Sequence, residues 1–146
     1  MLRNVVLVIL SGLLSGLAFD HPALSGLIWF ALIPLLFVMQ EERSGRRLFA
    51  LGCLAGAIHG AVSVFWLHHV TILGTIALIL YLSLYWGVFV LAGRRFLRTG
   101  FAVPVLACLW VALELVKVRW GYFGWNLFGY SQAAWPLLIR PARSEE

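Results

Sequence analysis

The sequence predicts an all-α integral membrane protein with about five transmembrane helices. The 46 residues from Leu48 to Gly93 include no Asp, Glu, Lys or Arg. As a helix this run would be about 70 Å long, whereas a bilayer core is roughly 30 Å thick, so it predicts two crossings. Over the whole chain, 62% of residues are hydrophobic and 12% are charged, against about 25% charged in soluble domains.

The net charge of +5 and the pI near 9.9 do not indicate a nucleic-acid-binding protein. The basic residues form short clusters between apolar runs, which is where loop charges orient membrane helices. Cys53 and Cys108 lie inside apolar runs without a C-x-x-C spacing. They therefore favour two small buried side chains over a disulfide or a metal site.

The first predicted span covers residues 4–19 and ends at Asp20, His21 and Pro22, because proline disfavours helix at the preceding position. The span is short, and with Arg3 before it and Gly16-Leu17-Ala18 near its end it also has features of a signal peptide. Further apolar spans follow at once, so a retained first helix is favoured over a cleaved signal.

The remaining spans are separated by charges and by one polar break. The second covers residues 24–40 and is followed by a polar loop at 41–47. The third covers 48–67, and the sequence His68-His69-Val70-Thr71 is the expected break before the fourth span at 72–93. Three arginines close the fourth span, and the fifth covers 101–116. Residues 1–119 are thus predicted to form one five-span transmembrane domain.

The distribution of basic residues predicts a cytoplasmic N-terminus. With that orientation the cytoplasmic side carries seven arginines and the external side carries four basic residues, and cytoplasmic loops are enriched in Lys and Arg. The cytoplasmic set is Arg3, Arg43, Arg46, Arg47, Arg94, Arg95 and Arg98; the external set is Lys117, Arg119, Arg140 and Arg143.

Glycines at a spacing of four residues predict close helix packing. Gly52, Gly56 and Gly60 share one face of the third span, and Gly12 and Gly16 share one face of the first. Small residues let helix backbones approach closely in lipid, although such spacings also arise by chance.

Residues 120–139 carry no formal charge but do not have the pattern of a plain span. Seven aromatic residues alternate with glycines and with Asn126, Ser131 and Gln132. Aromatic amphiphiles prefer the membrane interface, and glycines permit tight turns. We therefore expect an external interfacial or re-entrant segment here, followed by a polar tail at 140–146.

Glu114 is the single acidic residue within a predicted span, and a lone carboxylate in lipid needs a partner or a function. Lys117 lies three residues later on the same helical face. Two interpretations remain open: a local ion pair near the outer interface, or a polar anchor that holds the aromatic segment or a lipid headgroup. General acid or base chemistry by Glu114 is a minor alternative.

The sequence has no catalytic, metal or cofactor motif that we recognise from spacing. His59, His68 and His69 lack a carboxylate or cysteine that would complete a metal set, so interfacial histidines are the preferred interpretation. Acyl-transfer chemistry needs a nucleophile with a base in reach, and serines such as Ser11, Ser15 and Ser63 show no such partner in the sequence.

Two segments resemble the membrane domain of bacterial apolipoprotein N-acyltransferases, whose pattern is W-x-x-x-E followed by a G-F-P-W-x-x-x-G-Y-S-Q-like stretch. Here these are Trp110-Val-Ala-Leu-Glu114 and Gly121-Tyr-Phe-Gly-Trp125-Asn126-Leu-Phe-Gly129-Tyr130-Ser131-Gln132. The start of the chain is similar as well, with Ser11-Gly-Leu-Leu-Ser-Gly-Leu-Ala-Phe19 and Trp29-Phe-Ala-Leu-Ile-Pro34.

The resemblance implies a bacterial inner-membrane enzyme of lipoprotein biosynthesis, with eight spans and an external nitrilase-like domain. Such enzymes move an acyl chain from a membrane phospholipid to the N-terminal cysteine of a diacylated lipoprotein, through a thioester on a cysteine assisted by a glutamate and a lysine. The implied partners are these two substrates, with no cofactor. Trp125, Asn126, Tyr130 and Gln132 would face the lipid access route, with Glu114 beneath as anchor.

The sequence departs from the family at two places. The proline before the motif tryptophan is Gly124 here, and the chain stops at Glu146, before the implied Glu–Lys–Cys domain. The expectation is therefore a truncated N-terminal membrane portion that is inactive alone. The alternatives are a small non-enzymatic membrane scaffold or interaction protein and, less favoured because no repeat is evident, half of a transporter.

Overall fold

The computed structural model describes residues 1–133 and 135. These residues are predominantly helical and include no strand, so the predicted all-α fold is confirmed. The α-helices are α1 (Leu2–Asp20), α2 (Ile28–Ala31), α3 (Ile33–Glu41), α4 (Gly45–Ser63), α5 (Ile72–Gly93) and α6 (Ala102–Arg119), with 3₁₀ turns at Pro22–Leu27, Phe65–His69 and Phe128–Gln132. The predicted tail at 140–146 and part of the segment 120–139 lie outside the described residues.

The second span is not the continuous helix that the sequence predicted for residues 24–40. It begins with the 3₁₀ turn Pro22–Leu27, continues as α2, and is interrupted at Leu32 before α3. Pro34 in the first turn of α3 lacks the N–H that an unbroken helix would use, and its ring clashes with the preceding turn. The three pieces still form one segment of 20 residues, Pro22–Glu41, which is long and apolar enough to cross a membrane.

Capping residues explain most of the other differences in helix bounds. Ser44 accepts a hydrogen bond from the backbone N–H of Arg47, so α4 starts at Gly45 rather than at residue 48. The helix ends at Ser63, and the 3₁₀ turn Phe65–His69 takes up the residues that the sequence assigned to its last turn. Thr71 caps α5 through Gly74, which gives the predicted range 72–93.

Helix α4 lies at the centre of the bundle, between α1 and α5. A Cβ added at Gly56 would lie 2.7 Å from Cγ of Trp86 on α5. At the contact between α1 and α4, a Cβ added at Gly12 of α1 would lie 2.6 Å from the carbonyl oxygen of Ala55. The predicted close packing is confirmed at both interfaces, because neither glycine leaves room for a larger residue.

The bundle has the surface of a membrane protein. Large apolar side chains such as Leu73, Leu80, Val103 and Leu115 are more than half exposed, which is expected where lipid replaces water. Three segments are long and apolar enough to cross a membrane: Leu2–Asp20, Pro22–Glu41 and Ile72–Gly93. Helices α4 and α6 have similar lengths of 19 and 18 residues and carry charged residues near one end.

The cysteines differ from the expectation of two buried side chains. Cys53 on α4 is half-buried beside Gly87, whereas Cys108 on α6 is exposed. The expectation was wrong for Cys108, because an apolar run does not reveal which face of a helix has no neighbour. Both thiols are free.

Candidate functional site

The segment after α6 folds back over the end of the bundle. Two of its residues have positive φ, Tyr122 at 50° and Asn126 at 61°, and none of the described glycines does. The turns that the sequence assigned to glycine are therefore made by these two residues. Asparagine tolerates the left-handed region better than most residues, whereas tyrosine adopts it at some cost. Gly121 is required for a different reason, since the Tyr81 hydroxyl occupies the position of a Cβ.

Asn126 points into the bundle rather than towards a lipid access route, and only 4% of its surface is exposed. Its Nδ2 donates to Ser63 Oγ at 3.0 Å, and its Oδ1 lies 3.1 Å from Nε2 of His59. Its backbone oxygen accepts a hydrogen bond from Lys117 Nζ at 2.8 Å. A single residue of the segment is thereby joined to α4 and α6.

The hydrogen bonds around His59 form a closed circuit. With the ring proton on Nε2, His59 donates to Asn126 Oδ1, Asn126 Nδ2 donates to Ser63, and Ser63 donates back to the His59 carbonyl at 2.8 Å. The other ring nitrogen, Nδ1, lies 3.1 Å from Ser15 Oγ on α1. Every member of this buried network thus has a partner, which polar groups removed from water require.

His59 corrects two sequence-based interpretations. It was expected at the interface, but its exposed fraction is only 3%. Ser15 and Ser63, which showed no partner in the sequence, both contact this network. The order Ser15–His59–Asn126 has the connectivity of a nucleophile, a base and an orienting group, but Ser15 is fully buried. We interpret this cluster, which we call the buried polar network, as structural because a substrate cannot reach the serine hydroxyl.

Of the two open interpretations of Glu114, the geometry fits the anchor. Glu114 Oε1 accepts a hydrogen bond from the backbone N–H of Phe128 at 2.8 Å. Lys117 donates instead to the carbonyl of Asn126, and the ion pairs found within residues 1–133 do not include one between Lys117 and Glu114. Glu114 and Lys117 of α6 therefore both hold the backbone of the segment that follows it.

Phe128 fills the space between three helices. Its ring centroid lies 4.4 Å from that of Trp110 on α6, 5.8 Å from Trp86 on α5 and 5.7 Å from His59 on α4. Aromatic rings at such distances stabilise beyond their buried area. Trp110 Nε1 is buried here without a hydrogen-bond partner among the described residues, and the ring lines a cavity of about 30 Å³ together with Glu114.

The remaining predicted site residues divide into anchored and exposed side chains. Gln132 Nε2 donates to the carbonyl of Ser25, and its Oε1 accepts from Trp29 Nε1 at 3.2 Å. Gln132 thus fastens the segment to the start of the second span. Trp125 and Tyr130 are 58% and 54% exposed, so these two are free to meet lipid or a partner at this end of the bundle.

An apolar groove runs along α6 beside the anchored segment. It measures about 520 Å³ and lies between the second span and α6, with Phe89 of α5 also lining it. Along α6 it extends from Val103 to Val111, which is about 12 Å of helix. At one end it meets Trp29, Phe128, Gly129 and Gln132. The groove is therefore apolar along α6 and has the amide of Gln132 at one end.

The spacing of polar residues in the sequence contains a signal for the buried polar network. His59 and Ser63 are four residues apart, as are Ser11 and Ser15, so each pair lies on one helical face inside an apolar run. Polar residues that share a face of a membrane helix usually point towards protein rather than lipid. Residues 1–133 and 135 bring together no group of three side chains that could hold a metal ion.

Comparison with known proteins gives one family. The family model described as "Apolipoprotein N-acyltransferase N-terminal domain" matches residues 11–144. A relative from Geobacter metallireducens, named apolipoprotein N-acyltransferase, is 29% identical over 143 residues, covering 89% of this chain and 27% of the relative. A relative of the same name from Chlorobaculum tepidum is 31% identical over 132 residues, covering 86% of this chain and 25% of the relative. The chain thus spans about a quarter of the length of these relatives, and no solved structure matches it.

Proposed function

Since this chain belongs to the apolipoprotein N-acyltransferase family, we propose that it forms the N-terminal membrane domain on which acyl transfer from a phospholipid to a diacylated lipoprotein is organised. The observation that carries the proposal is the docking of the segment 120–133 on the bundle through Asn126, Phe128 and Gln132. This segment holds the family-like motif, and its polar and aromatic side chains fix its position on the transmembrane helices.

The chain is proposed to lie in the bacterial inner membrane with five crossings and a cytoplasmic N-terminus. Three segments meet the length and hydropathy of a span, and α4 and α6 belong to the same bundle and have similar lengths of 19 and 18 residues. The helices alternate in direction, so the segment 120–133 lies at the end opposite the N-terminus. The excess of arginines at the N-terminal end supports this orientation.

The apolar groove along α6 is the proposed access route for one acyl chain of the donor phospholipid. Its wall is apolar from Val103 to Val111, and it ends beneath Gln132, where a headgroup would meet polar atoms. Trp125 and Tyr130 at the same end have the amphipathic side chains that prefer the headgroup region. This assigns the lipid contact to the groove and to the exposed aromatic residues, and leaves Asn126 and Glu114 as positioning residues.

We propose that this chain does not transfer acyl groups by itself. Acyl transfer through a thioester requires a thiol with a base in reach. Cys108 precedes Glu114 by six residues on α6, which is about 9 Å along the helix, and Cys53 precedes His59 by the same distance on α4. The Ser15 hydroxyl that does contact a histidine is buried.

The function is tested by replacing the N-terminal quarter of the Geobacter metallireducens relative with residues 1–133 of this chain. The chimera is expected to acylate a diacylated lipopeptide with a phospholipid donor, whereas this chain alone is expected to yield no product. A stable, membrane-inserted chimera without activity would contradict the membrane-domain proposal. Product formed by this chain alone would contradict the proposed inactivity.

The access route is tested separately with a phospholipid that carries a photoactivatable group in its acyl chain. Ala107 lines the groove, whereas the neighbouring Cys108 does not. Ala107→Trp is expected to reduce labelling of residues 103–111 several-fold, and Cys108→Trp, which adds the same bulk on another face, is expected to leave it unchanged. Equal labelling of both variants would remove the groove from the proposal without affecting the family role.

A further inference from the structure

The end of the bundle that carries the N-terminus has a concave, arginine-rich surface. A pocket of about 650 Å³ lies between the start of α1, the end of α3 and the segment after α5. A second depression of about 320 Å³ shares Gln40, Arg94 and Arg98 with it. We call the two together the arginine pocket; its basic side chains are Arg3, Arg43, Arg94, Arg95 and Arg98.

The acidic side chains of the arginine pocket already have partners. Glu41 pairs with Arg3 at 2.5 Å, and Glu42 Oε1 accepts a hydrogen bond from the backbone N–H of Ser44 at 3.0 Å. With Glu41 paired to Arg3, the other four arginines of the pocket face the single carboxylate of Glu42, so a surplus of positive charge remains. Arg43 and Arg98 have no ion pair within the described part of the chain.

One hydrogen bond brings the two basic loops together. Arg94 Nη1 donates to the backbone oxygen of Arg43 at 3.1 Å, although the two residues are 51 positions apart. This contact uses one of the five N–H groups of the guanidinium. Arg43, Arg94 and Arg98 all line the larger pocket, so their remaining donors are available to an oxyanion bound there.

Apolar side chains lie directly beside these guanidinium groups. Met39, which is only 3% exposed, and the half-buried Leu97 line the second depression together with Arg94 and Arg98. A surface that is cationic on one side and apolar on the other matches a phosphate group attached to an acyl chain. A free inorganic anion would gain nothing from the apolar part.

Only some of the arginines at this end of the bundle line the arginine pocket. Arg46 and Arg47, in the first turn of α4, belong to the same end and are exposed, but neither lines the two depressions. The fold thus separates arginines that serve only as topological charges from those gathered into a pocket. Basic pockets between transmembrane helices commonly bind anionic lipid headgroups.

We propose that the arginine pocket binds the phosphate of an anionic phospholipid, with Arg43, Arg94 and Arg98 as donors and with Leu97 against the adjoining acyl chain. Guanidinium groups suit this role because they bind phosphate through two parallel hydrogen bonds and are weakly hydrated. The site shares no lining residue with the groove along α6, which runs from Val103 towards Gln132 at the opposite end of the bundle.

The test is native mass spectrometry of the full 146-residue chain in detergent, with added cardiolipin, phosphatidylglycerol, phosphatidylcholine or inorganic phosphate. The unmodified chain is expected to retain the two anionic lipids at least about tenfold more strongly than phosphatidylcholine. Arg94→Gln with Arg98→Gln is expected to reduce that retention about tenfold. Arg46→Gln with Arg47→Gln removes the same charge outside the pocket and is expected to change it less than about threefold.

Each outcome decides the proposal. Equal losses in the two double variants would show a diffuse positive surface and overturn it, as would equal retention of phosphatidylcholine. Inorganic phosphate that displaces the lipids at comparable concentration would assign the pocket to a soluble anion and also overturn the lipid source. Arg98→Gln alone, which breaks no hydrogen bond within the described residues, is expected to give an intermediate loss and guards against misfolding of the double variant.

Discussion

Asn126 links three helices through one side chain and one carbonyl group. It contacts His59 and Ser63 on α4 and Lys117 on α6, and through His59 it is connected to Ser15 on α1. Its φ of 61° also sets the direction of the turn. The residue therefore combines a backbone role, for which asparagine is suited, with a hydrogen-bonding role that a glycine could not fulfil.

Substitution of Asn126 by Ala is expected to destabilise the chain by about 2 kcal/mol or more, because buried polar atoms of His59 and Ser63 lose their partner. Unfolding in detergent with increasing dodecyl sulfate, followed by tryptophan fluorescence, measures this. Asn126→Gly is the control, because glycine adopts the φ of 61° without strain but also removes the side chain. A loss in Asn126→Ala that is absent from Asn126→Gly would assign the effect to the backbone and not to the network.

Glu114 is expected to hold the segment through its oxygen rather than through its charge. Glu114→Gln keeps an acceptor for the N–H of Phe128, whereas Glu114→Ala removes it. We expect faster chymotrypsin cleavage after Phe128 or Tyr130 in Glu114→Ala and near-normal protection in Glu114→Gln. Cleavage that is equally fast in both variants would indicate that the negative charge is essential and would contradict the anchor role.

At the scale of elements, α4 packs between α1 and α5 through glycines, and the space around these glycines differs from one contact to the next. Gly52 and Gly56 contact α5 so closely that a Cβ would overlap Trp86 or its neighbours, whereas a Cβ at Gly60 would lie 3.5 Å from Ile79. The spacing of four residues predicted one common face. It did not predict that the third glycine of the series has room for a methyl group.

Gly56→Ala and Gly60→Ala form a matched pair on one helical face. The first is expected to destabilise the bundle by about 1–3 kcal/mol through overpacking against Trp86. The second is expected to be neutral or to stabilise by up to about 1 kcal/mol, since alanine is the better helix former. Dodecyl sulfate unfolding compares them, and a similar loss in both variants would contradict the different clearances.

At the scale of the whole molecule, the fold has two unlike ends. One end carries the arginine pocket, and the other carries the segment 120–133 with its exposed aromatic side chains. Between them the surface is apolar, and the buried polar network lies inside. This polarity agrees with a domain that spans the membrane and presents a different surface on each side.

The orientation predicts which side of the membrane each end faces. In a background with Cys53→Ala and Cys108→Ser, Asp20→Cys is expected to react with a membrane-impermeant maleimide from the external side. Gly100→Cys, which lies in the loop after α5 with open space around it, is expected to react from the cytoplasmic side. Reaction of Asp20→Cys from the cytoplasm alone would reverse the proposed topology.

The sequence by itself determined the helical fold, the approximate spans, the glycine faces and the family. These features depend on hydropathy, on helical periodicity and on local motifs, all of which are properties of neighbouring residues. The range of α5 agreed with the prediction because Thr71 and the arginines that follow Gly93 bound it locally. The interruption at Leu32 was not predicted, because the presence of Pro34 alone does not indicate whether the helix bends or is broken before it.

The tertiary structure alone decided where the predicted site residues lie and what they contact. Asn126, Glu114 and Gln132 were grouped with Trp125 and Tyr130 by the motif, and the fold separated them into three anchors and two exposed side chains. His59 joined the anchors because α4 packs on α1 and the segment after α6 brings Asn126 to it. The reason is that hydrogen-bond partners up to 110 positions apart meet through helix packing, and a local sequence pattern does not specify which faces pack together.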